Sequence, residues 1–412
     1  MATITLTDPG ADADICTVGN QTLFSSATHG DIIQFPTNGN RYRCGGSFTN
    51  SNLVKVTGNC TLYRHSSMSD ASLLNAVMMY MNPNLDSTLM VGGKEVRLIV
   101  DGINFESKDP ATTSAQDFGL RIDYCVGFIV RNCDFSYFGY AATRIYHKDY
   151  LAKGVIWNCN YYTNAKQTGL GLGYGIQVSG QDLVWVANSN FGSDNFITIE
   201  DCYFEQSRHA VASNGGALFR VRYCTDLNNG VQKNVDRVTH TIDTHASRNT
   251  GLGAGNEFST RAFECYNNTF SHTLYFDGTS IPGSGVDTSK LVGYTVFYRG
   301  GAGLVYNNSM LGTEYGMGMY IDALPFGTSV PLPYAPGYLS SLKYGPTNTG
   351  VTRSESDDDV WFWNNTKSSY ATLFVNIHSA YLTSDAQYHN VAAAPSWYTE
   401  FPYPYPGRSA DF

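Results

Sequence analysis

A short sequence frame recurs along this chain and constrains its fold more than any other feature. Its first residue is apolar, and its fourth is cysteine in four copies and asparagine in three. The copies are residues 130–135, 156–161, 199–204, 221–226, 265–270, 305–310 and 362–367. A short strand with a turn residue at a fixed offset is typical of a coil that stacks on copies of itself. The frame therefore predicts a solenoid.

The distances between copies indicate that insertions emerge at the turns of this solenoid. Successive fourth positions lie 26, 43, 22, 44, 40 and 57 residues apart. The short distances fit one coil, whereas those near 43 fit either two coils or one coil with a long loop. A β-propeller needs blades of more even length with four strands each, and the chain has neither pattern.

Alternation within the frame predicts which side chains form the core. A strand has a period of two, so the first residue should point inward and its neighbours outward. The predicted inward residues are Val130, Ile156, Ile199, Val221, Cys265, Val305 and Phe362. The third position should lie at a sharp bend, because Asn tolerates left-handed dihedral angles and its amide can bond the backbone of the next coil. The predicted bend residues are Asn132, Asn158, Asp201, Asn267, Asn307 and Asn364.

Composition favours strands and turns and argues against several classes of partner. The chain has 41 Gly, 29 Tyr and 22 Phe, and its net charge is −9. It has no basic block, so we expect no nucleic acid as a partner. No run reaches the roughly 18 apolar residues of a membrane span. The first residues lack the basic and apolar regions of a signal peptide.

The cysteines predict packing rather than metal chemistry. There are nine of them, with no CxxC pair, and no other metal-ligand spacing is evident. We therefore predict no metal and no cofactor. The cysteines of the frame should be buried free thiols that pack as small apolar groups. Cys16, Cys44 and Cys60, near the amino terminus, are better candidates for disulfides.

Residues 27–42, which read ATHGDIIQFPTNGNRY, resemble the amino-terminal stretch of a known family. They are similar to the segment that leads from the cap into the first coil of right-handed parallel β-helix proteins of the pectate-lyase-like superfamily. Residues 299–308 and 398–406 look like parts of its environmental and phage-borne members. The resemblance implies an all-β, single-stranded right-handed parallel β-helix. We predict an N-terminal cap at 1–45, the β-helix at 46–370 and a Pro/Tyr-rich closing segment or tail at 371–412. Since proline lacks a backbone donor, this tail should run extended along the body or into a neighbouring subunit.

Residues 205–264 interrupt the repeat with charged side chains. Arg220 and Arg222 flank the inward Val221, and Glu264 precedes the inward Cys265. If residues 239–246 form the intervening coil, Asp243 should lie near Arg220 and Glu264 on one outward face. The candidate catalytic residues are His209, Arg220, Arg222, Asp243, His245, Arg261 and Glu264.

These residue types suit an acidic polysaccharide. Arginine clamps a carboxylate with two parallel hydrogen bonds, and histidine can remove the neighbouring proton in a β-elimination. Hydrolysis would instead need two carboxylates, for which Asp243 and Glu264 are the candidate pair. A third alternative is a structural charge ladder along the sheet.

Two functions remain open at this stage. The first is a polysaccharide lyase or glycoside hydrolase that binds a polymeric, uronate-containing glycan. The second is a non-catalytic, tailspike-like or decorating virion protein with a glycan-binding surface, for which a homotrimer is expected. Either function implies an extracellular or virion-associated protein.

Overall fold

The computed structural model describes residues 1–64, 77–85, 87, 89–107, 117–147, 152–164, 173–180, 191–227, 240–244, 260–272, 294–298, 302–312, 319–321, 360–367, 375–377 and 388–411. The first half of the chain contains β1 Thr3–Thr5, α1 Val18–Ser26, β2 Ile32–Gln34, β3 Arg41–Cys44, β4 Phe48–Asn50, β5 Lys55–Arg64, β6 Val77–Met81, β7 Leu89–Val91, β8 Lys94–Val96, β9 Leu98–Glu106, β10 Phe118–Asp123, β11 Val126–Arg131, β12 Asp134–Ser136, β13 Ala141–His147, β14 Lys153–Trp157, β15 Asn160–Tyr162 and β16 Tyr174–Gly180. The second half contains β17 Ile197–Glu200, β18 Tyr203–Glu205, β19 His209–Asn214, β20 Leu218–Arg222, β21 Thr225–Leu227, β22 His240–Thr244, β23 Ala262–Tyr266, β24 Thr269–His272, β25 Tyr294–Tyr298, β26 Ala302–Tyr306, β27 Ser309–Gly312, β28 Met319–Ile321, β29 Val360–Trp363, β30 Thr366–Lys367, β31 Val375–Ile377 and β32 Tyr388–Asn390.

The strands form two long parallel sheets, which confirms the predicted parallel β-helix. Within the described ranges the first sheet has 20 strands and the second has 10, whereas β7 and β8 form a separate antiparallel pair. From β11 onward each coil gives two strands to the first sheet and one to the second, as in β11, β12 and β13. The 43-residue distance between Cys159 and Cys202 spans one coil, because β14 pairs directly with β17. It is therefore one coil with a long connection.

A left-handed residue separates the two first-sheet strands of each coil. All six predicted bend residues have positive φ, between 50° at Asn364 and 57° at Asn267. Their amides bond one another rather than the backbone: Asn158 Nδ2 donates to Asn132 Oδ1 at 2.7 Å, and Asn364 Nδ2 to Asn307 Oδ1 at 2.6 Å. The bend prediction is confirmed, and its hydrogen-bond partner is corrected.

The fourth position of the frame is where side chains reach the backbone of the preceding coil. Asn268 Nδ2 donates to Val221 O at 3.0 Å, and Asn308 Nδ2 to Cys265 O at 2.9 Å. The frame cysteines lie over the equivalent carbonyls at 3.7–3.9 Å. The predicted inward residues are all buried in one core, and all nine cysteines are free thiols. The buried-thiol prediction is confirmed, and no disulfide joins Cys16, Cys44 or Cys60.

Both termini cover the β-helix. Helix α1 begins after its cap residue Thr17, whose hydroxyl accepts from Asn20 N at 3.2 Å, and it buries Phe24 against Phe35 and Phe48. In the described part of the chain, no helix is long and apolar enough to cross a membrane. After β32, residues 391–411 run back along the outer face of the first sheet. We call these residues the C-terminal segment, and the alternative in which the tail lies along the body is the one observed.

Candidate functional site

Arg220 and Glu264 lie on adjacent strands of the first sheet and form a buried ion pair. Arg220 Nε and Nη2 donate to the two Glu264 carboxylate oxygens at 2.7 and 3.1 Å, and both side chains are fully buried. The remaining Arg220 donors bond Thr198 Oγ1 at 3.2 Å and Ser193 O at 3.0 Å. Burial alone would lower the pKa of Arg220, but Glu264 raises it above its ordinary value. All three guanidinium nitrogens are thus bound within the protein.

Arg222 binds the C-terminal segment instead of facing a groove. Its Nη1 and Nη2 donate to the carbonyl oxygens of Phe401 and Pro402, both at 2.8 Å. Its Nε donates to Glu200 at 2.9 Å, and the other oxygen of that carboxylate accepts from Arg408 at 2.8 Å. The charged outward residues of this face therefore form the ladder that the sequence left as the third alternative, and the C-terminal segment covers it.

The prediction that Asp243 lies beside Arg220 and Glu264 is wrong. Residues 240–244 are the third strand of the coil that contains Arg220, and this strand belongs to the second sheet. Asp243 instead lies 3.3 Å from His209 Nε2, and both side chains are buried. The sequence brought His209 and Asp243 into one candidate set, and the structure brings these two together. Arg261 is buried and immediately precedes β23, and His245 lies outside the described residues.

The outer face of the second sheet carries a row of polar and aromatic side chains that the sequence analysis missed. Strand register aligns Tyr80, Arg121, Arg144, Gln177, Ala212 and Asp243 across six successive strands. Two residues further along, Asp123 and Tyr146 are partners in register. On the other side of the row, the Tyr174 ring stacks on the His209 ring at 5.4 Å.

Asp123 neutralises the first arginine of this row. Arg121 Nε and Nη2 donate to its two carboxylate oxygens at 2.9 and 2.5 Å, and the Tyr80 hydroxyl donates to it at 3.0 Å. Burial, with the Asp123 charge nearby, raises the pKa of Tyr80 to about 12. The three side chains therefore satisfy one another's charges and hydrogen bonds.

Arg144 is different, because within the described ranges no carboxylate pairs with it. The guanidinium carbon lies 4.9 Å from the Tyr146 ring centre and 5.6 Å from that of Phe118, and Nε has no hydrogen-bond partner in the part of the chain that the structure describes. Its neighbour in register, Gln177, has an Oε1 for which the described residues supply no hydrogen-bond donor. Burial lowers the pKa of Arg144, and Arg121 acts in the same direction. Burying a cation that has no carboxylate beside it costs free energy, and a bound anionic ligand would offset that cost.

One sequence signal could have revealed this row. Residues 120–123 read LRID and residues 143–146 read TRIY, with the two arginines 23 residues apart, one coil length. Each segment alternates between core and surface in the manner of a half-buried strand. The signal lies outside the cysteine frame, which marks only the first sheet.

No protein-family model and no curated protein matches the sequence. Among solved structures, the chain is similar to the crystal structure of an alginate lyase from Paenibacillus sp. str. FPU-7. The sequences are 12% identical, the TM-score is 0.42, and the match covers 91% of this chain and 99% of the other. The assignment of the fold rests on the strand pairing described above.

Proposed function

We propose that the protein binds a uronate-containing polysaccharide on the outer face of the second sheet and cleaves it by β-elimination. The observation that carries the proposal is the Arg144 guanidinium, which no carboxylate of the described residues pairs with, and which has Gln177 and Tyr146 as neighbours. A polysaccharide substrate implies that the protein acts outside the cell.

Arg144 and Gln177 supply the donors that a uronate carboxylate needs. The planar guanidinium can bond both carboxylate oxygens, and the amide group of Gln177 adds a third donor. Holding the carboxylate in this way offsets the negative charge that develops when the adjacent carbon loses its proton. Asp123 neutralises Arg121, which is the nearest other cation. Arg144 is therefore the guanidinium that remains to bind a carboxylate.

Tyr146 is the proton acceptor that we propose. Its ring contacts the Arg144 guanidinium at 4.9 Å and lies 5.8 Å from that of Arg121. It is half-buried, unlike His209, and the Arg144 guanidinium would stabilise negative charge on its oxygen. His209 and Asp243 stay candidate site residues; because both are buried, we assign them to positioning Tyr174, whose ring stacks on that of His209, rather than to direct contact with the substrate.

Hydrolysis is disfavoured by the positions of the carboxylates, because Asp243 and Glu264, the pair that the sequence offered, lie on different sheets. Asp123, on β10, is bound by Arg121 and Tyr80, and Asp243 lies four strands away on β22. At the usual strand spacing this separation is about 19 Å. A glycosidase needs its two carboxyl groups roughly 5–9.5 Å apart.

A panel of uronate-containing and neutral polysaccharides tests the proposal. Elimination produces an unsaturated uronate with ultraviolet absorbance, while hydrolysis gives new reducing ends without it. We expect Arg144→Ala and Tyr146→Phe each to lower kcat/KM by about 100-fold or more. We expect His209→Asn to raise KM and leave kcat unchanged. Arg41→Ala and Tyr203→Phe, on other faces, are matched controls.

Full activity in Arg144→Ala would overturn the proposed site. Reducing ends without ultraviolet absorbance would overturn elimination. No product from any polysaccharide, together with a stable trimer in light scattering, would favour the non-catalytic, virion-type alternative.

A further inference from the structure

Two thiols in the N-terminal cap lie closer together than ordinary packing requires. Cys16 Sγ and Cys44 Sγ are 3.0 Å apart, and both sulfurs contact Gly46 O, at 3.3 and 3.0 Å. A disulfide bond is about 2.0 Å long, so closure needs a sulfur displacement of about 1 Å. Rotation about the side-chain bonds can supply this.

The backbone on both sides of the pair is fixed by hydrogen bonds. Ile15 N donates to Arg43 O at 2.9 Å, and Arg43 N donates to Ala13 O at 2.9 Å. The Asp14 carboxylate accepts from Cys16 N at 2.9 Å and from Gly45 N at 3.2 Å. The two cysteines are therefore held opposite each other before any bond forms.

The other cysteines lack this combination of proximity and access. Cys16 is half-buried, whereas the remaining eight are buried. The frame cysteines direct their sulfurs at backbone carbonyls of the preceding coil. Cys60 has no sulfur neighbour among the described residues. Oxidation should therefore be selective for one pair.

We propose that Cys16 and Cys44 are a modification site that oxidises to a disulfide joining the cap to β3. With glutathione disulfide as the oxidant, the Cys16 thiolate attacks one sulfur and releases one glutathione thiolate. The Cys44 thiol then loses its proton and displaces the second glutathione. In sum, two protein thiols lose two protons and two electrons, and one glutathione disulfide becomes two glutathione thiols. The bond closes a loop that contains α1 and β2.

The experiment exposes the folded full-length protein to glutathione disulfide, then alkylates it under denaturing conditions and maps its peptides. Of nine cysteines, two should resist alkylation and seven should react. The linked peptides should contain Cys16 and Cys44. The loss of two thiols should disappear in Cys16→Ser and in Cys44→Ser, and persist in the matched control Cys60→Ser. Protease cleavage within residues 1–45 should slow on oxidation in the wild type and be unchanged in Cys16→Ser.

Three results would overturn the proposal. Nine alkylated cysteines after oxidation would show that the pair does not close. A linkage between other cysteines would show that proximity in the cap does not decide the reaction. A stable glutathione adduct on Cys16 alone would show that Cys44 cannot complete the exchange.

Discussion

Removal of the Arg220 guanidinium should cost stability rather than catalysis. Arg220→Ala leaves the Glu264 carboxylate buried, with Gly192 N at 2.7 Å and the Tyr398 hydroxyl at 3.3 Å as its remaining donors among the described residues. It also removes the guanidinium from between the rings of Phe196 and Phe401, which lie 5.1 and 4.5 Å from its central carbon. Both losses destabilise the folded state.

The size of the effect follows from this burial. Breaking a buried ion pair by removing one partner costs about 3–5 kcal/mol, whereas an exposed pair is worth about 1 kcal/mol or less. Both partners here are fully buried, so we expect the free energy of unfolding to fall by about 3–5 kcal/mol. Arg220→Met/Glu264→Gln, which removes both charges and keeps most of the volume, should recover most of this loss.

Urea denaturation at neutral pH measures these differences, and turnover of the polysaccharide at a temperature where each variant is folded measures catalysis. A loss below about 1 kcal/mol in Arg220→Ala would refute the buried-pair argument. Lost turnover at unchanged stability would return Arg220 to the active site and contradict its structural role.

Three further predictions concern other parts of the fold. Arg222→Ala removes the donors to the C-terminal segment, so proteases should cut residues 391–411 about tenfold faster or more than in Arg41→Ala; an equal rate would contradict the anchoring. Burial lowers the pKa of His147 from 6.5 to about 4, so the unfolded chain binds more protons between these values. The stability that depends on a neutral His147 is fully present above pH 6.5, and about 3 kcal/mol of it is lost as the pH falls to 4. Urea denaturation of His147→Gln at several pH values should lack this pH dependence of the unfolding free energy. The same pH dependence in the variant and the wild type would contradict the role of His147. Asn308→Ala removes the hydrogen-bond partner of Asn268 N and of the Asn365 side chain, so the free energy of unfolding measured in urea should fall by about 2–4 kcal/mol. Cys133→Ala, the control, should lower it by less.

The face of the second sheet shows where local patterning was insufficient. Arg144 and Tyr146 alternate with core residues as clearly as the residues of the frame do, yet what singles out the site is that no carboxylate of the described residues pairs with Arg144. Whether a carboxylate lies beside an arginine depends on strands that are distant in sequence, so spacing alone does not reveal it. The same limit caused the error at Asp243, because a coil with three strands and a long connection has the same length as two short coils.

The sequence by itself determined the coil. A period of two decides which side of a strand is apolar, and asparagine at a fixed offset decides where the backbone takes a left-handed bend. Both are local properties, so the frame predicted the core, the bends and the buried thiols correctly. Only the tertiary structure decided what covers each outward face. The charged face of the first sheet binds residues 391–411, which lie up to 280 residues away in sequence, as between Arg131 and Asp411. Through that contact Arg222, predicted as a site residue, anchors the C-terminal segment, because a charge is available to a ligand only where the chain itself has not neutralised it.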